Sequence, residues 1–155
     1  MKKFVLLCTH VGMFAIGFGL GVYLLPILTA PDSPDQATLA ASSEGAAFTT
    51  EFTRDLKGSD FLHWGEGSVS ISQTQIVHMG KLAPGPDYML YLVPSFATDE
   101  AEFNAIKDSS ISLGSIKTFE GFIVDVPATV DLNQYNTVLV WCEAFGEFIT
   151  AAKYR

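Results

Sequence analysis

Hydrophobic and polar positions divide the chain into three unlike stretches. The first runs apolar from Phe4 to Leu28 without one Asp, Glu, Lys or Arg. At about 1.5 Å rise per residue it exceeds the roughly 30 Å hydrocarbon core of a bilayer. Residues 1–30 are therefore predicted to form a single membrane-spanning helix. The second stretch, residues 31–47, is mostly Pro, Asp, Ser and Ala with one Leu and no aromatic residue. That composition predicts a flexible linker. The third, residues 48–155, alternates short β-rich runs with Gly and Pro punctuation.

The strand-like runs in this third stretch are Gly67–Ser72, Gln73–Met79, Asp87–Val93, Ser112–Lys117, Gly121–Val126, Thr137–Cys142 and Phe148–Ala152. This spacing predicts an all-β domain, a sandwich or barrel-like fold of about seven to eight short strands. One run breaks the pattern. Thr98–Lys107 opens with a capping threonine and acids and closes on lysine, which predicts a short helical excursion. Its Phe103 and Ile106 would seat it on the sheet. In Thr137–Cys142, period-two alternation puts Val138, Val140 and Cys142 on one face and Thr137, Leu139 and Trp141 on the other. Both faces are largely apolar, which marks a central strand.

Charge adds direction. Lys2 and Lys3 precede the apolar run and acids follow it, so the positive-inside rule keeps the N-terminus in the cytoplasm. The expectation is a signal anchor in the cytoplasmic membrane with residues 48–155 on the periplasmic or extracellular side. A cleaved signal peptide is the alternative; its apolar core is normally about 7–15 residues and ends at a small-x-small site. The net charge is −8 and there is no basic stripe, which argues against a nucleic-acid partner. The chain is expected to meet the membrane through its anchor and a redox partner protein through its domain; oligomeric state stays open.

Of the two cysteines, Cys8 lies in the apolar run and Cys142 lies in the exported domain. An unpaired thiol in an oxidising compartment is either sealed in a core or has work to do. Glu143 adjoins it but points to the opposite face, so it is not its base. His63, His78 and Met79 are the other soft or nitrogen donors. Copper is disfavoured, because no His or Met follows Cys142. Haem ligation by Cys142, His63 or His78 is a candidate, with Phe61, Trp64, Phe119, Phe122, Phe145 and Phe148 to line a slot or simply to fill a core. Cys-x-x-Cys-His is absent. His78–Met79 is expected to end a strand at the surface, and Asp87 to order the start of the strand after Pro86. There is no Gly-x-Ser-x-Gly, His-Glu-x-x-His or phosphate-cradling loop, and Glu100 and Glu102 do not face each other on a helix. No enzyme signature emerges.

Certain segments resemble a known module when taken in order. They are Gly85–Leu92, Ser112–Lys117, Gly121 with Val126–Pro127, Asp131–Tyr135 and Val138–Phe145. Together they are similar to the DM13 domain family over roughly His63 to the C-terminus, and Leu24–Pro31 resembles anchors ahead of bacterial members. The resemblance implies an all-β extracellular module acting in electron transfer or oxidative modification. It implies Cys142 as the working residue, a redox thiol or a cofactor ligand, with His63 as second participant. A binding module in which Cys142 is packing remains the alternative. Phe148–Ala152 lacks the glycine expected after the phenylalanine.

Overall fold

The strand at the centre of the domain is the one whose two faces are both apolar. The computed structural model describes residues 1–155. Eight strands form two four-stranded antiparallel sheets. They are β1 (Phe48–Phe52), β2 (Gly65–Ile71), β3 (Gln75–Leu82), β4 (Tyr88–Val93), β5 (Ile111–Ile116), β6 (Phe122–Asp125), β7 (Thr137–Cys142) and β8 (Glu147–Lys153). One sheet is ordered β1-β2-β3-β6 and the other β5-β4-β7-β8. The domain is a β-sandwich.

Every residue of β7 is buried, as its double apolar face requires. Val138, Val140 and Cys142 enter the core between the sheets, with Val69, Ile76, Leu90 and Phe122. Leu139 and Trp141 enter a smaller cluster on the outer face, with Tyr91, Phe103 and Phe148. The strand β8 gains one residue against β7 at Ile149, because Trp141 pairs with Phe148 and Val140 with Thr150. That bulge turns Ile149 into the main core, although Phe148 just before it faces the outer cluster. A bulge re-aims side chains in this way.

Helices cover what the sheets leave open. The helix α1 (Lys2–Thr29) is apolar and long enough to cross a membrane, and none of its residues is buried in the protein. Within the segment whose composition predicts a tether, α2 (Gln36–Ser43) forms instead. Asp35 caps it by accepting from the Thr38 N–H at 2.7 Å, and Leu39 is fully buried. Leu39 packs beside Gly121, whose φ of +93° favours glycine and whose missing Cβ would stand 2.7 Å from the leucine Cδ1. The helix predicted within Thr98–Lys107 is α3 (Glu100–Asn104). Its cap is Asp99 rather than Thr98: Asp99 accepts from the Glu102 N–H at 2.8 Å, while Glu102 reaches back to the Thr98 N–H at 2.8 Å. Phe103 and Ile106 seat this segment on the outer cluster.

His78 corrects the reading of β3. It does not end the strand at the surface but lies within β3 at zero exposure. Its ring sits between Phe52 and Phe122, with centroids 5.2 and 5.0 Å away. One ring nitrogen, Nε2, is 2.9 Å from the Glu66 carbonyl, and Nδ1 has no partner. Burial holds the imidazole below its usual pKa, against a smaller upward pull from the Glu66 carbonyl, so the ring is neutral at pH 7.

Candidate functional site

β7 ends at Cys142, and the chain then turns sharply into β8, closed by Gly146 N–H donating to the Cys142 carbonyl at 2.9 Å. Alternation aims Cys142 inward, toward the start of β4. Its thiol donates to the Pro86 carbonyl at 3.0 Å. Asp87 adopts a left-handed φ of 54°, rare for a residue with a side chain, and its carbonyl accepts from the Glu143 N–H at 3.0 Å. The Pro86–Asp87 corner is thus tied to both sides of the cysteine.

Cys142 is only 3% exposed. Burial pushes its thiol pKa up, the N–H groups of Phe145 and Ala144 pull it back, and the charges of Asp87 and Glu147 push up again. The net direction is upward, so the resting group is a neutral thiol. Those two N–H groups are the ones that would receive a negative charge on sulfur.

A pocket of about 350 Å³ opens beside the thiol. It is lined by Leu62, His63, Pro86, Tyr88, Cys142, Phe145 and Ile149 of the domain and by Phe18, Val22 and Tyr23 of α1. The two residues singled out in the sequence, Cys142 and His63, line the same cavity. His63 Nδ1 lies 3.1 Å from Asp60 Oδ2. Asp60 also accepts from the N–H groups of Leu62 and His63, both at 2.7 Å. Burial alone would raise the Asp60 pKa; these donors and the imidazole hold it below the usual carboxylate value. With Nδ1–H donated to Asp60, Nε2 is left as the acceptor on the ring. Asp60, three residues ahead of His63, is a participant that the sequence reading passed over. An aspartate accepting from the next N–H groups is an ordinary turn signal.

Glu143 faces away from the thiol, as alternation predicts. Its carboxylate accepts from the Tyr91 hydroxyl and from Lys107 Nζ, the latter at 2.7 Å. His78 and Met79 belong to β3 in the opposite sheet and do not join Cys142. No group of three or more His, Cys, Asp or Glu side chains is arranged to hold a metal ion. The six aromatic residues considered for a haem slot are dispersed. Phe122 lies against His78, Phe148 is in the outer cluster, Phe119 meets Tyr88 edge-on, and Trp64 lies under the Arg54 guanidinium. Phe61 is 85% exposed, and only Phe145 lines the cysteine pocket. These residues do not fit a haem.

Residues 52–154 match a family model described as Electron transfer DM13. The chain belongs to the DM13 family. Comparison with curated proteins and with solved structures gave no match. The DM13 match covers β2 to β8 whole and with them the domain's side of the cysteine pocket, but not the α1 residues that line it.

Proposed function

We propose that this DM13 protein is a membrane-anchored electron-transfer module whose exported β-sandwich works through Cys142, with His63 beside it. The observation that carries this reading is the convergence of Cys142 and His63, distant in sequence, on one pocket. In this reading His63 accepts the thiol proton through the nitrogen that Asp60 leaves free. The N–H groups of Ala144 and Phe145 then receive the charge on sulfur. The thiolate is the reactive form in thiol redox chemistry.

The anchor sets where this happens. Counting about 20 residues from Phe4 for the span places Tyr23 at the outer membrane boundary, where tyrosines concentrate. On α1 the pocket borders Phe18, Val22 and Tyr23, so in this reading it opens on the membrane side of the domain.

A second reading has its own support. A thiol 3% exposed, raised in pKa and set among valines behaves as a small apolar core residue. The domain would then be a non-catalytic binding module. Native thiol labelling separates the two, using the full chain in detergent on a Cys8→Ser background. The electron-transfer reading expects Cys142 to be labelled without denaturant, at a rate that falls when His63 is changed to Phe. Labelling that begins only with unfolding supports the packing reading.

A further inference from the structure

The outer face of the second sheet, opposite the face that carries Cys142, holds a polar network. Tyr91 on β4 is 8% exposed, and its hydroxyl donates to Glu143. Lys107 Nζ donates to the other oxygen of that carboxylate at 2.7 Å. The same ammonium stands 5.1 Å from the Trp141 ring centroid and 5.7 Å from that of Tyr91. Phe103 bridges the two rings, with centroids 5.2 Å from Tyr91 and 4.8 Å from Trp141. Trp141 adjoins Cys142 in β7, on the opposite face of the sheet.

We propose that Tyr91 is a redox-active tyrosine and Glu143 its dedicated proton acceptor. A buried phenol loses an electron readily only when its proton has somewhere to go. Here the carboxylate already holds that hydrogen bond, and Lys107 keeps it ionised and in position; its pKa lies below the usual value despite its partial burial. The neighbouring ammonium, 5.1 Å from the Trp141 ring centroid, disfavours a radical cation on that indole. Tyr91 is therefore where an electron vacancy in this cluster comes to rest.

The step balances. A strong one-electron oxidant, a high-valent metal centre or an organic radical, takes one electron from Tyr91. The Oη–H proton moves to Glu143, leaving a neutral phenoxyl radical hydrogen-bonded to a carboxylic acid. A returning electron reverses both transfers. This deepens the electron-transfer reading, because it gives the domain a second redox group, joined to the Cys142 pocket through β7.

The test uses the full chain in detergent with a photogenerated ruthenium(III) polypyridyl oxidant, and follows the tyrosyl radical by electron paramagnetic resonance. The wild type is expected to give a radical that Tyr91→Phe removes. Glu143→Gln should slow its formation about a hundredfold and abolish the solvent deuterium isotope effect. Fluorotyrosine placed at position 91, which keeps the hydroxyl, should add fluorine splitting to the spectrum. Cys142→Ser should leave radical formation intact, so failure of the cysteine reading is told apart from failure of this one. Absence of fluorine splitting, or an unchanged rate in Glu143→Gln, overturns the proposal.

Discussion

Cys142 donates its thiol hydrogen to the carbonyl of Pro86, 3.0 Å away, so the end of β7 is latched to the turn that starts β4. The latch exists because Asp87 holds a left-handed φ of 54°. Replacing Asp87 with glycine keeps that conformation open to the chain, whereas valine opposes it. Asp87→Gly is expected to change stability by less than about 1 kcal/mol and Asp87→Val to lower it by about 1–3 kcal/mol. Equilibrium denaturation of the two variants measures the difference.

Alkaline pH should loosen this fold. Burial raises the thiol of Cys142 and, together with the Glu143 bond, lifts the Tyr91 hydroxyl to about 12; burial likewise lifts Tyr154 to about 12. An unfolded chain releases these protons from its ordinary values of 9.0 and 10.0 upward, while the folded chain still holds them. Stability is therefore complete below about pH 9 and is lost progressively toward pH 12. A thermal melting series across that range checks the slope, and Tyr91→Phe should reduce it.

Acid acts through His78. Its folded pKa is depressed by burial, so the unfolded state takes up a proton that the folded state refuses. The stabilisation is present above the ordinary value of 6.5 and declines as pH falls below it. His78→Phe should flatten that part of the stability profile.

The α2 helix makes a different demand. Gly121→Ala places a Cβ 2.7 Å from Leu39 Cδ1 and 3.0 Å from the His78 carbonyl, at a φ of +93°. The expected loss is about 1–3 kcal/mol. Leu39→Ala should cost about 2–4 kcal/mol and leave α2 open to proteolysis. If α2 were a loose tether, Leu39→Ala would not register in denaturation, and Gly121→Ala would cost only the strain of its φ and its approach to the His78 carbonyl.

The sequence disclosed β7 fully, because both of its faces are apolar and alternation alone assigns Cys142 and Trp141 to different cores. It also disclosed that Glu143 turns away from the thiol. It concealed β1, since Phe48–Phe52 has three polar residues at its centre and borrows its order from β2. Residues 31–47 read as linker because Ala, Ser and Gln carry no periodicity, yet one leucine meeting one glycine is enough to dock a helix. His78 looked like a surface residue because an imidazole is polar; two phenylalanines distant in sequence bury it. The candidate aromatic slot failed for a related reason. Residue type says that an aromatic ring will be buried, but only topology says beside what.

The most direct measurement is protein-film voltammetry of the full chain on a Cys8→Ser background in a lipid-coated electrode, with and without Cys142→Ser, at potentials below those that oxidise tyrosine. The expected result is a redox response with Cys142 present that the serine variant loses, while its melting temperature stays close to that of the parent. Identical responses from the two proteins would contradict it and return Cys142 to the core.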